Sequence, residues 1–303
     1  MSEPHDPLSA FHVGDISLSD ARVQASQKLC ARFLDHRGLI ELPALAVLFD
    51  HLGGIPFHRV HDDPAAATLQ ARLSMSTLGR AEVGDLISGR AEVVMHDDAW
   101  GTTSVEIRTG GGRLSCVGTA RNVRVGRAPT GTSPTSEIGT AVPECVDCRD
   151  VALPESIPSS MTGRAVVEEI ATKMRAPGPL TQMLNGRVEV LDGAADRDTG
   201  IRFRSATDPW MGNMFGTMHG GVIATIVGQA ASFAGQLHAA PGQTYSLGDM
   251  AIGFYRSPAV DGSEVIVEVT PIKAGRRISS FEATMRSYDD VLLSRATVDV
   301  HYA

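Results

Sequence analysis

Residues 220–237 read GGVIATIVGQAASFAGQL and contain no charged side chain. As a helix this stretch would run for about five turns, ~27 Å. That length approaches a membrane span. Gly, Ala, Ser and Gln dominate it, however, and large apolar side chains are few. A helix with no polar face belongs at the centre of a protein, buried on most sides. Its small side chains let neighbouring elements approach closely. The stretch therefore predicts a central helix enclosed by a sheet rather than a membrane span.

The flanking residues supply that sheet. Alternating or β-branched runs predict strands over 186–191 and 200–206 before the helix. After it they predict strands over 246–256, 263–273, 276–287 and 291–302, with Asp289 and Asp290 at the last turn. A shorter helix fits 162–175. Residues 126–160 are rich in Pro, Ser, Thr and Gly and read as a linker. The first half then repeats the order. Residues 17–37 read as a helix with Ser17 or Ser19 as cap, and 43–52 as a second helix opened by a proline. Strands follow over 68–77, 85–95, 100–109 and 113–124, the last pair joined by Gly110, Gly111 and Gly112. Residues 1–16 read as a loose tail. An offset of 178 positions lays 43–52 on 221–230, Gly84 on Gly262 and Thr119 on Thr297. Element order and apolar pattern thus predict a tandem duplication. Its parts are a tail over 1–16, a first domain over 17–125, a linker over 126–160 and a second domain over 161–303. Each domain is α+β, one helix wrapped by a curved antiparallel sheet.

Composition narrows the function. The chain has 303 residues, 43% of them apolar and 20% charged, so it can bury a sizeable core. A formal net charge of −8 argues against a general nucleic-acid or membrane-surface binder. The opening MSEPHDPLSAF lacks a basic segment followed by an apolar one, so the cytoplasm is the expected location. Cys30, Cys116, Cys145 and Cys148 are too sparse for a disulfide scaffold. Cys145 and Cys148 form an isolated CxxC without the two further ligands a structural zinc needs, so no metal is expected. His51, His58 and His61 read as surface histidines. Asp62, Asp63, Asp97 and Asp98 read as turn residues.

The run NMFGTMHGGVIATI from residue 213 contains Asn213, Gly216, His219, Gly220 and Gly221. This resembles the N-x-x-G-x-x-H-G-G-helix signature of hotdog-fold acyl-CoA thioesterases, the phenylacetyl-CoA and 4-hydroxybenzoyl-CoA thioesterase group. FYRSPAVDGSEV (254–265), KAGRR (273–277) and Asp289-Asp290 also look like that group. The resemblance covers 162–303 and implies two tandem hotdog domains, an acyl-CoA substrate and no cofactor. It further implies a homodimer of the double chain. Independently of the name, a Gly-Gly helix start leaves backbone N–H groups exposed at the positive end of the helix dipole. Such a turn can hold an oxyanion.

One feature departs from the family. The resemblance places a catalytic Asp or Glu seven residues after the second glycine, and here that residue is Gly228. The first half reverses the defect. At the same offset stands Asp50, while Glu41, Leu42 and Pro43 replace His219, Gly220 and Gly221. In the family each site takes the acid from one protomer and the glycine turn from the other. The expectation is therefore one composite site per chain. Asp50 would be base or nucleophile, and the Gly220 N–H the oxyanion donor. His219 and Asn213 would position the turn or a water, and Thr68, eighteen residues after Asp50, would stand beside the acid. The resemblance also implies substrate contacts at Gly221 and coenzyme A phosphate contacts at Gly275, Arg276 and Arg277. The alternatives are a non-catalytic acyl-CoA or lipid-binding hotdog protein and, as the weaker rival, a hotdog dehydratase or hydratase, which pairs an Asp with a His in a different local motif that this sequence lacks.

Overall fold

The computed structural model describes residues 5–19, 22–60, 67–126, 139–144 and 151–303. Cys145, Cys148, His61, Asp62 and Asp63 lie outside them. The first half contains β1 (Val13–Ser19), β2 (Arg22–Lys28), α2 (Ala46–Arg59), β3 (Ala67–Thr77), β4 (Leu86–His96), β5 (Trp100–Arg108) and β6 (Leu114–Val125), after a short α1 (Pro7–Ala10). The second contains α3 (Gly163–Ala171), α4 (Pro179–Met183), β7 (Gly186–Leu191), β8 (Gly200–Ala206), α5 (Gly220–Leu237), β9 (Tyr245–Phe254), β10 (Glu264–Lys273), β11 (Ile278–Ser287) and β12 (Leu292–Tyr302). All twelve strands join one antiparallel sheet in the order β1-β2-β4-β5-β6-β3-β9-β12-β11-β10-β8-β7. The order reads the same from either edge once the halves are exchanged, as the duplication requires. The halves meet at β3 and β9, where Arg72 faces Gly253 and Met75 faces Met250.

The sheet curls around the two long helices. α2 packs on β2 to β6, α5 packs on β8 to β12, and the helices pack on each other. Every residue of α5 except Gly220 is buried, which explains the absence of charge along it. α2 and α5 run antiparallel. The start of α5 meets the middle of α2, where a Cβ added at Gly221 would lie 3.0 Å from Asp50 Cβ. The middle of α5 meets the segment leading into α2, where a Cβ added at Gly228 would lie 3.0 Å from Pro43 Cγ.

Three expectations for the first half are corrected. Residues 17–37 are not a helix. They complete β1 and form β2, a hairpin in which Val13 faces Gln27 and Ser19 faces Arg22. The two-residue alternation in β2 is masked because its inward positions are Val23, Ala25 and Gln27. Ala and Gln are ordinary helix residues, and Gln27 is accommodated by donating Nε2 to the Ala44 carbonyl at 3.0 Å. Ser17 and Ser19 are strand residues, not caps. Residues 1–16 are not wholly a tail, since they contribute α1, capped by Asp6, and the start of β1. Finally, the helix expected over 43–52 begins with a 3-10 turn (Leu42–Leu45) and continues to Arg59 through Gly53, Gly54 and Pro56. Gly53 is required by packing: a Cβ there would lie 2.5 Å from Ala120 Cβ. The remaining strands and α5 fall within one or two residues of their predicted ends.

Candidate active site

The Asn213 turn delivers the start of α5. Asn213 Oδ1 accepts from the N–H groups of Phe215 (2.9 Å) and Thr217 (3.3 Å), and its Nδ2 donates to the Met218 carbonyl. Gly216 closes the loop at φ 71°, a conformation glycine adopts without strain. His219 is then the N-cap of α5, and its backbone N–H donates to the Met211 carbonyl at 2.8 Å. The Gly220 N–H has no acceptor among the described residues.

Asp50 meets this helix start from α2. It is 6% exposed, and a Cβ added at Gly220 would lie 2.8 Å from its Oδ1. Oδ1 has no hydrogen-bond partner among the described residues. Oδ2 lies 3.1 Å from His219 Nδ1, which is also 3.1 Å from the Gly221 nitrogen. One ring nitrogen cannot donate to Asp50 while accepting from Gly221. With Asp50 ionised, Nδ1–H donates to the carboxylate; with Asp50 protonated, Nδ1 becomes an acceptor. Burial raises the Asp50 pKa, and this outweighs the lowering influence of His219 and the Gly221 N–H. The neighbouring His51 is pushed down to about 3 by burial and by His219, so it stays neutral.

A cavity of about 540 Å³ opens on this pair. It is lined by Asp50, His219, Gly220, Asn213 and Thr68, bringing together the five residues expected to do chemistry. Gln70 and Asn122, which sequence reading missed, also line it. Gln70 donates to the Asp50 carbonyl, and Asn122 donates to the Gly53 carbonyl at 3.0 Å, so both tie the sheet to α2. Polar residues at inward strand positions were the available signal.

Gly275, Arg276 and Arg277 do not line the cavity. They lie in the β10–β11 turn, near the segment that follows the C-terminal end of α5. There the Arg276 carbonyl accepts from Gln243 Nε2 and the Arg277 carbonyl accepts from the Tyr302 N–H. α5 is about 27 Å long, which separates that turn from Gly220. Local sequence spacing carries no information about which end of the helix a distant turn reaches.

The duplicated position shows what was lost. Asp35 Oδ1 accepts from the N–H groups of Arg37 (2.8 Å) and Leu39 (3.1 Å), repeating the Asn213 turn at the same offset. Gly38 repeats Gly216 with φ 75°. A smaller cavity of about 260 Å³ follows, lined by Glu41, Leu42, Arg80, Tyr245 and Ser246. Glu41 and Leu42 stand where His219 and Gly220 stand, and Ser246 where Thr68 stands. Pro43, in place of Gly221, has no N–H to offer. Ion pairs gather beside this cavity: Arg37 Nε donates to Asp35 Oδ2 at 2.7 Å, and Glu41 Oε1 lies 3.1 Å from both Arg37 Nη2 and Arg80 Nε. Gly228→Asp would place a buried carboxylate against Pro43, whose ring nitrogen has no hydrogen to donate. We expect it to lower stability by about 2–5 kcal/mol without adding turnover. Thermal unfolding and kcat per chain check this, and a doubled kcat would show a second working site.

Residues 215–294 match the thioesterase superfamily. No curated protein matches the sequence. Solved structures match over nearly the whole chain. A TesB protein from Mycobacterium avium subsp. paratuberculosis aligns with TM-score 0.59 and 7% identity, covering 99% of this chain and 100% of that one. A hot dog fold protein from Alicyclobacillus acidocaldarius aligns with TM-score 0.57 and 13% identity, covering 100% and 99%. An acyl-CoA thioesterase II from Mycobacterium marinum aligns with TM-score 0.54 and 11% identity, covering 97% and 96%. At these identities the likeness is one of fold. The chain is a double-hotdog protein whose residues 215–294 match the thioesterase superfamily.

Proposed function

We propose that this chain hydrolyses an acyl-CoA thioester at one composite site, built from α2 of the first half and the α5 N-terminus of the second. The observation that carries the reading is the buried Asp50 carboxylate, with an unpartnered Oδ1, set against the free Gly220 N–H. A thioester carbonyl oxygen placed on that N–H meets the positive end of the α5 dipole. Asp50 takes a proton from water as the water oxygen bonds to the carbonyl carbon. The tetrahedral oxyanion then collapses, the C–S bond breaks, and the proton passes to the departing thiolate. His219 holds Oδ2 in place and Asn213 holds the turn; both are positioning residues. A base with raised proton affinity is better matched to this task near neutrality than an ordinary carboxylate.

The test is thiol release from short, medium, long and aromatic acyl-CoAs. Turnover of at least one supports the reading. Binding without turnover of any supports an acyl-CoA-binding protein instead. The direct His219–Asp50 contact favours one second reading, a hydratase acting on an enoyl thioester. Loss of the double bond without thiol release would establish it.

The pH profile follows from the Asp50 shift. The base must be ionised, so kcat/KM rises with pH through a pKa displaced upward. We expect the ascending limb to lie above about 4, the usual carboxylate value. His219→Gln, which removes a lowering influence, should move that limb higher still. A limb at or below about 4 would show that Asp50 is not the titrating base.

A further inference from the structure

The catalytic cavity has two arms that meet at Asp50. β3 and β9 pair from Arg72 to Ser76 and from Gly253 to Asp249, and beyond Arg72 they part. Leu69, Tyr255 and Arg256, all exposed, line the cavity on that side, so this arm opens to solvent. The other arm lies across α2. Helical spacing puts Asp50, Gly54 and His58 on one stripe of α2 and His51, Ile55 and Arg59 on the next, and all six line the cavity. Gln70 on β3 covers the first stripe: its Nε2 would lie 3.2 Å from a Cβ added at Gly54. The second stripe is left to α1, which packs on α2, and to β1. Their buried Leu8 and Ile16 also line the cavity. Arg59, at the outer end of that stripe, is exposed.

The second arm depends on a local irregularity of β1. Gly14 faces Ser26 and Ser17 faces Gln24, so Asp15 and Ile16 together oppose the single residue Ala25, a bulge. Asp15 takes φ 51°, a conformation Asp tolerates. Its N–H donates to the Thr140 carbonyl at 2.7 Å, and the Gly139 N–H donates to the Ile16 carbonyl at 3.1 Å. A bulge re-aims the side chain it carries, and here Ile16 is turned onto the cavity at 3% exposure. α1 is anchored too: Phe11, which ends it, stacks on Phe33 at 5.2 Å and lies 6.3 Å from the Trp210 ring. The duplicated half lacks this arrangement. β7 pairs with β8 without a register shift, and among the described residues none of α4 or β7 lines the smaller cavity. The kinked edge strand accompanies the cavity that keeps Asp50.

We propose that the second arm is the acyl subsite and that Leu8 and Ile16 end it, so that the enzyme prefers linear apolar acyl groups of about six to eight carbons. This rests on the thioester-hydrolase reading and deepens it by naming the acyl class. The length follows from the helix. From Asp50 to Ile55 the axis of α2 advances about 8 Å. A zigzag of C–C bonds of about 1.5 Å advances roughly 1.3 Å per carbon, which gives about six carbons beyond the carbonyl. The character follows from the walls. Leu8, Ile16, Leu18 and Ile55 are apolar, and His51 stays neutral. Asp6 turns its carboxylate back to accept from the Ser9 N–H at 2.9 Å. Burying a charged acyl end against these walls would cost more than it returns. With the thioester carbonyl on Gly220, the acyl chain runs toward Ile16 and the pantetheine arm toward Tyr255 and Arg256.

The test is kcat/KM across linear acyl-CoAs from acetyl to palmitoyl, for wild type, Ile16→Ala, Leu8→Ala, Ile16→Phe and Val188→Ala. Wild type should peak at hexanoyl to octanoyl and fall at least about tenfold by palmitoyl, because methylenes with no place in an apolar pocket cost that much. Ile16→Ala and Leu8→Ala should each raise the lauroyl-to-hexanoyl ratio at least about tenfold, and Ile16→Phe should lower the octanoyl-to-butyryl ratio by a similar factor. Val188 is buried on the opposite edge strand, β7, and lines neither cavity, so Val188→Ala should lose stability and keep the wild-type ratios. Each ratio is taken within one variant, so partial unfolding cancels and either alanine variant alone decides. Unaltered ratios in the alanine variants would overturn the proposal. So would a shift as large in Val188→Ala, or wild-type turnover of palmitoyl-CoA equal to that of hexanoyl-CoA. If wild type hydrolyses none of the series, the thioester-hydrolase reading falls instead. The same ratios are then read from acyl-CoA binding by calorimetry, where unaltered values would overturn the acyl subsite as well.

Discussion

Asp50→Asn should lower kcat/KM for the best acyl-CoA by about 10²–10⁴-fold, the usual contribution of a positioned base. Its melting temperature at neutral pH should be equal to wild type or higher. The two effects have one cause. Asp50 is buried at the helix contact, and burial raises its pKa above that of the unfolded chain. A raised acid pKa means the folded state binds the proton more tightly than the unfolded state. Stability is therefore lost as pH rises from the unfolded pKa, about 3.9, toward the folded one. Asparagine keeps the shape and removes the charge, so the stability difference between variant and wild type should grow between pH 4 and pH 7. Thiol release and thermal unfolding over that range check both halves. Activity within about tenfold of wild type would remove Asp50 from the mechanism. Lost activity with a lower melting temperature would mean that the charge supports the fold.

Arg37→Met should destabilise the protein by about 3–5 kcal/mol, the cost of breaking a buried ion pair from one side. Arg37 joins Asp35, Glu41 and the Tyr245 carbonyl, and its guanidinium stacks 3.6 Å from the Tyr245 ring centroid. Without it, Asp35 and Glu41 are left as neighbouring buried carboxyls. Burial pushes both upward and Arg37 opposes it in each; Asp35 is held below the usual carboxylate range, while Glu41 stays above it. A further change of Asp35→Asn and Glu41→Gln should therefore recover part of the loss, which denaturant unfolding of the single and triple variants will show. Hydrolysis should be largely retained in the folded fraction, because Asp35, Arg37 and Glu41 do not line the cavity containing Asp50 and Glu41 lines the smaller one. A drop below about 1 kcal/mol would mean that the network is solvated.

The sequence by itself determined the central helix, ten of the strands and the complementary losses. Each rests on a short-range signal. An 18-residue run without charge can be buried only as a core helix, and alternating apolar residues can form only half-buried strands. The fixed offset between Asp50 and Gly228 shows in the residues themselves. A second copy of the turn was equally legible, because Asp35 and Gly38 stand 178 positions before Asn213 and Gly216, and reading 17–37 as a helix concealed it. Only the tertiary structure decided the rest. β1 and β2 are strands because β4 offers them an edge, and this outweighs the helix preference of Ala25 and Gln27. Arg276 and Arg277 fall away from the cavity because the length of α5 lies between its two ends. Arg72, Arg121, Gly253 and Arg295 are scattered along the chain and become neighbours solely through strand pairing. Periodicity and spacing report on a residue's own element; which distant elements share a face is set by how the sheet closes around its helices.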